Sequence, residues 1–282
     1  MITTVIIGSG NVAEALARIL PSRGLVVKQV LARNEERGRK VAKKGRGEWI
    51  SDPAAIAEAD LYIVAVSDSS IGEVLKPLAL PENAIVVHTS GTQPVDVIPA
   101  RFARRGVLYP LQSFTSGRIV DFSQIPVLVE GSDPATVEFL LSVAERLTTR
   151  VMEVDYERRS KIHLAGVLVN NFTNAMFAAA KDIVYGMGLS FDLLAPIINE
   201  TVAKAVESGD PRAMQTGPAV RNDRNTMERH LAMIDGGFGP AAGVDAAAED
   251  ISPEQLAKER RERQLLGEIY EKISEYIYER KL

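Results

Sequence analysis

Gly8, Gly10 and Ala13 stand in the order G-x-G-x-x-A within VIIGSGNVAEALA, and that spacing suits the holding of a pyrophosphate. Gly8 permits a sharp turn out of a strand, Gly10 leaves bare backbone for the phosphates, and Ala13 lets the following helix lie close to the sheet. Ser9, Asn11 and Val12 complete the turn, and the helix N-terminus adds unpaired N–H groups and the positive end of its dipole. Where the next strand ends, LARN puts Arg33 at the position that carries an acidic residue in sheets preferring NAD. A guanidinium there can grip a 2′-phosphate with two hydrogen bonds while Asn34 adds more, so NADP is the cofactor expected. A solvated surface arginine is the plainer explanation of the same residue.

Two further strand ends carry polar residues: VAVSDSS supplies Val66, Ser67 and Asp68, and VVHTSG supplies His88, Thr89, Ser90 and Gly91. Ligands of open parallel sheets lie outside such ends, so these loops are expected to flank the nicotinamide. Helix capping explains the hydroxyl residues equally well, and His88 reads either as a substrate contact or as a satisfied core histidine. On HLAGVLVNNFTN, ideal α-helical phase puts Asn170 and Asn174 within about 20° of His163, Val167 about 40° away and Asn171 about 80° away. Such a seam, once buried, needs partners, either a ligand or neighbouring helices, because each unpaired amide costs about 1–3 kcal/mol. His163 can exchange a proton near neutrality, which suits a general acid serving a carbonyl or imine that accepts hydride. With His230, the chain's histidines show no metal-ligand spacing, so no metal is expected.

The elements that must position these groups fall into two stretches. Residues 1–155 alternate unbroken apolar strands with helical segments, which predicts a doubly wound α/β domain with a parallel sheet buried on both faces. Residues 156–282 read as all-helical, beginning with a helix of about 30 residues from Tyr156. The final helix, over 251–282, carries Leu266, Ile269, Ile273, Tyr276 and Ile277 on one face, expected to pack on its own domain rather than on a partner. With 282 residues, 46% of them hydrophobic, two domains are affordable. A net charge of −4 gives no basic surface for nucleic acid, and the absence of cysteine suits the cytoplasm. No apolar run reaches the roughly 20 residues of a membrane span, and the start of the chain shows no secretion signal.

Taken together, the glycine loop, VHTSG, YPLQSF, HLAGVLVNNFTN and QTGPAVRNDRNTMERHL resemble a Rossmann-like oxidoreductase family with a C-terminal domain of unknown function 2520. More distantly the layout is similar to pyrroline-5-carboxylate reductase, ketopantoate reductase and the 3-hydroxyisobutyrate and 6-phosphogluconate dehydrogenases. The resemblance implies an all-helical second domain like that of 6-phosphogluconate dehydrogenase, nicotinamide chemistry on a small molecule, a site between domains, and a homodimer. It also implies a catalytic lysine four residues before an asparagine; matching that asparagine to Asn171 puts Val167 where the lysine belongs. His163, one turn earlier, is then the candidate acid, with Asn170, Asn171 and Asn174 orienting substrate. Arg221, in the loop motif with Thr216 and Asp223, is a candidate clamp for a substrate carboxylate or else a structural partner of Asp223. The missing lysine leaves a second reading, an NADP-binding sensor or scaffold without turnover.

Overall fold

The structure, a computed structural model, describes residues 1–238 and 252–280. Its first compact unit, Met1–Asn171, is built on one eight-stranded sheet. The strands are β1 (Ile2–Ile7), β2 (Leu25–Leu31), β3 (Glu48–Ile50), β4 (Leu61–Val64), β5 (Ile85–His88), β6 (Arg104–Pro110), β7 (Val127–Gly131) and β8 (Val151–Glu153). They lie in the order β3-β2-β1-β4-β5-β6-β7-β8, and each neighbouring pair is parallel except β6 with β7. The chain leaves β1 toward β2 on one side and returns with β4 on the other, so β1 and β4 flank the topological switch point where such sheets bind ligands. The doubly wound sheet stands as read; the antiparallel step at β7 and the three-residue β3 do not follow from the apolar pattern.

Alternate side chains of the strands enter two separate cores. Ile6, Ile63, Val87 and Leu108 pack with Leu16 of α1 (Asn11–Ile19) and Val41 of α2 (Glu35–Gly45). Val5, Ile7, Tyr62, Val64 and Val86 pack on the other face with Ile71 and Leu75 of α3 (Ile71–Leu75). Each such aliphatic side chain contributes about 1.5–3 kcal/mol by leaving water, and covering both faces is why the strands show no polar alternation. α4 (Pro134–Leu147) is capped by Asp133, which accepts from the Thr136 amide.

After Asp155, which caps it, α5 (Tyr156–Gly166) runs into a π-helical turn, Val167–Phe172, and then α6 (Thr173–Gly186). The expected long helix is present as one helical run, but its middle is wound more loosely. α5 belongs to the sheet unit because Arg159, fully buried, donates to the Glu130 carboxylate on β7 and to the Gln93 carbonyl. The sequence puts the domain line at 155; the compact unit closes at Asn171.

The second unit, Phe172–Leu282, contains α6, α7 (Ala195–Glu207), α8 (Pro218–Arg221), α9 (Arg224–Gly236) and α10 (Pro253–Glu279). Ser252 and Gln255 form a capping box at the start of α10, and the His230 Nδ1 on α9 pairs with the Tyr270 hydroxyl at 2.7 Å. Residues 251, 281 and 282 of the expected last helix lie outside the described residues. Of its apolar face, Leu266 and Ile277 are half-buried against this unit, while Ile269, Ile273 and Tyr276 stay exposed. Among the described residues of this unit, only Val184, Ala219 and Ile234 are buried apolar side chains.

Candidate functional site

Gly8 has φ +120°, and a Cβ there would run into the Ala65 carbonyl oxygen at the end of β4. The protein itself therefore demands glycine at this turn, as the tight-turn reading requires. Gly10 is different: a Cβ there would meet nothing closer than the Ala65 oxygen at 3.9 Å. No side chain caps α1 at Gly10 either, so its bare backbone and the first N–H groups of α1 face an open cavity. Ala13 is fully buried, where the helix meets the sheet.

That cavity, about 470 Å³, is lined by Ser9, Gly10, Asn11 and Val12, by Val66, Ser67 and Asp68 after β4, by Thr89 after β5, and by Gln112 and Phe114 after β6. An uncapped helix start beside a glycine that nothing in the protein requires fits a dinucleotide pyrophosphate. Ser90 and Gly91 do not line it. The Ser90 hydroxyl instead donates to Asp68 at 2.8 Å, as Thr92 does at 2.5 Å, and so ties the two strand-end loops together. Arg33 is exposed, and the Asn34 Oδ1 caps α2, accepting from the Arg37 amide at 2.9 Å.

Sequence reasoning missed the segment after β6. The Asn11 amide donates to the Phe114 carbonyl at 2.9 Å, and Glu14 accepts from Ser116, the Gly117 amide and Lys44. Burial pushes the Glu14 carboxyl up, but the hydrogen bonds from Lys44, Ser116 and Gly117 outweigh it and bring its pKa down to about 2. A glutamate in an amphipathic helix reads as a solvated residue, so nothing in sequence marks this strap. Arg37, reaching Asn11 at 3.3 Å, and Lys40, reaching Ser116 at 3.3 Å, add cations beside the glycine loop.

His88 needs correction as a substrate contact. It is fully buried, its Nδ1 accepts from the Ser90 amide at 3.1 Å, and its Nε2 pairs at 3.2 Å with the Pro94 carbonyl, which can only accept. Both nitrogens are committed to backbone with the proton on Nε2. Burial, opposed by the Pro94 hydrogen bond and reinforced by the Arg159 charge, lowers its pKa to about 4. The ring shapes the HTSG loop as a neutral group.

His163 faces that loop from α5. Its Nδ1 lies 3.0 Å from the Tyr109 hydroxyl at the end of β6, with ring centroids 6.0 Å apart. It also packs on Gly91, where an added Cβ would come within 2.5 Å of Nδ1. Burial raises the Tyr109 pKa, as does the Asp68 charge, while Arg159 lowers it. A second cavity of about 540 Å³ is lined by Tyr109, Gln112, His163, Val167, Asn170 and Asn171 among others. Gln112 belongs to both cavities, so the two share a wall. Tyr109 and Gln112 sit in YPLQSF, at a strand end, and the rule that strand ends carry ligands was the signal that could have found them.

The asparagine seam differs from the expectation in two ways. Asn170, Asn171 and Asn174 are exposed rather than buried, and Asn170 donates to Asn171 at 3.4 Å. The π turn, with its i→i+5 bonds, advances less per residue than an α-helix, so ideal phases fail across it. Asn171 therefore joins His163 and Asn170 along the cavity, while Asn174 does not line it. Arg221 ends α8 in the second unit, where its charge helps to lower the pKa of Asp223, behind the hydrogen bonds that Asp223 accepts from Thr226 as the N-cap of α9. Asp223 thereby serves as the cap of α9.

Residues 3–91 match the domain described as NADP oxidoreductase coenzyme F420-dependent, and residues 125–248 match the domain of unknown function DUF2520. A solved structure from Bacteroides fragilis, proposed to be an NADP oxidoreductase, is 35% identical, with 99% of this chain and 98% of that chain covered and a TM-score of 0.82. A Thermotoga maritima protein is 21% identical over 97% and 98% of the two chains, with a TM-score of 0.61. An imine reductase from a Pseudomonas species is 16% identical over 82% and 83%, with a TM-score of 0.56, a likeness of fold. Among proteins of curated function, none matches the chain. Among the described residues, no helix is long and apolar enough to cross a membrane.

Proposed function

Since the chain belongs to the NADP oxidoreductases that join this nucleotide-binding domain to DUF2520, we propose that it reduces the C=O or C=N bond of a small molecule held in the cavity lined by Tyr109, His163, Asn170 and Asn171. NADPH supplies the hydride. Ser9 to Val12 hold the pyrophosphate, Arg33 and Asn34 the 2′-phosphate, and Val66 to Asp68 with Thr89 the nicotinamide end. His163 gives the proton that the reduced oxygen or nitrogen needs, and the two asparagine amides orient the substrate. The observation that carries this reading is the Tyr109–His163 pair at 3.0 Å, beside the wall shared by the substrate cavity and the cofactor cavity.

The same reading includes a homodimer working in the cytoplasm, with no role for nucleic acid. Phe172, Leu193, Ile197, Val206 and Met233 are each more than half exposed on a unit whose described residues include few buried apolar side chains. A second copy covering about 800 Å² per partner is the economical way to shield such a face. The enzymatic claim is tested by NADPH oxidation with a panel of small keto acids and cyclic imines. His163→Ala should lower kcat at least 100-fold while the Kd for NADPH stays within twofold. A variant as active as the wild type removes His163 from the chemistry.

A further inference from the structure

We propose that Tyr109 and His163 form a proton relay, in which the Tyr109 hydroxyl holds the ring with its proton on Nε2 and refills Nδ1 as that proton leaves. This rests on the reading of His163 as the donor. At 3.0 Å the hydroxyl and Nδ1 share one hydrogen, so one donates and the other accepts. Burial and the Asp68 charge keep the phenol protonated, and Nδ1 is its hydrogen-bond partner. With Nδ1 as acceptor, a neutral imidazole carries its own proton on Nε2. Gly91, which has no Cβ, packs against the ring.

The balance of the reaction then requires the tyrosine. When hydride adds to the unsaturated carbon, the π electron pair moves to oxygen or nitrogen, which takes the proton from Nε2. The N–H bonding pair stays on the ring. A neutral imidazole treated this way would be left an anion, unless Nδ1 takes a proton in the same step. The Tyr109 O–H bond supplies that proton and its electron pair stays on the phenol oxygen; Nδ1 then returns the proton to the phenolate as Nε2 takes one from water, which restores the starting tautomer. Arg159, fully buried and acting on Tyr109 in the sense opposite to Asp68, favours that phenolate while it lasts. Substrate, hydride and one solvent proton are thereby consumed and the protein is unchanged.

The test is nitrogen-15 NMR of the full-length, histidine-labelled protein, whose three imidazoles are assigned by single substitutions. The expected result is a protonated Nε2 and an accepting Nδ1 for His163. Tyr109→Phe, which keeps the ring, should give a mixture of tautomers and a kcat lower on the order of 100-fold, with KM and the Kd for NADPH within about twofold. A wild-type proton on Nδ1, or a Tyr109→Phe variant that keeps both tautomer and kcat, overturns the relay. If the tautomer is wrong while His163→Ala is inactive, the relay alone fails. Wild-type turnover in His163→Ala removes the donor and the relay together.

Discussion

Gly91→Ala puts the site to a sharp test, because the atoms nearest the new methyl all belong to His163. Gly91 is buried and is not among the residues with positive φ, so alanine fits its backbone. Its Cβ would lie 2.5 Å from Nδ1 of His163, 2.7 Å from its Cγ and 2.9 Å from its Cβ. Ordinary contacts lie near 3.5 Å, so the ring must retreat by about 1 Å. The ring can swing, since His163 is only half-buried, but its Cβ must shift with the helix, so the loss of stability should be about 1–3 kcal/mol. A 3.0 Å hydrogen bond cannot absorb the same movement in either direction. Misplacing a reacting group by about 1 Å reduces turnover on the order of 100-fold. The assay is kcat on the best substrate of the panel, beside the NADPH Kd, the Tm and the His163 nitrogen-15 shifts. A folded variant with kcat within twofold of wild type and unmoved His163 shifts would refute the assignment of this contact to catalysis.

Two other outcomes follow from the same geometry. Gly10→Ala should leave Tm within a few degrees, because a Cβ there meets nothing closer than an ordinary contact at 3.9 Å, yet weaken NADPH binding at least 10-fold by titration; tight binding would remove the pyrophosphate from this turn. His88 has a native pKa near 4 against 6.5 for the free group, so the unfolded chain binds more protons between those values. Its contribution is complete above pH 6.5 and is lost as pH falls toward 4, on the order of 3 kcal/mol. The carboxylate of Glu14, lowered to about 2, loses its contribution only below about 4.5, so the window above that belongs to the histidine. Urea unfolding at pH 7 and pH 5 should show the fall in wild type and not in His88→Gln, and equal slopes would contradict the buried neutral ring.

How much was legible in sequence depends on how local the physics is. Gly8, Gly10 and Ala13 impose their turn within one βα unit, and strands covered on both faces announce themselves as unbroken apolar runs, so the sheet and its cofactor loop could be read directly. The Tyr109–His163 contact joins residues 54 apart, through a strand end and a helix whose docking depends on Arg159 being buried against Glu130. A buried arginine carries no periodic signal, and the sequence line at 155 precedes the close of the compact unit at Asn171. The asparagines show a different limit. VLVNNF contains no proline or glycine to betray a π turn, and ideal phases placed Asn174 beside His163 and Asn171 away from it. The looser turn reverses that choice, and Val167, where the related dehydrogenases would carry lysine, opens it. With an aliphatic residue there, the proposed proton donor comes from elsewhere along the cavity, and His163 one turn before, paired with a phenol from the sheet, is the residue to which the proposal gives that role.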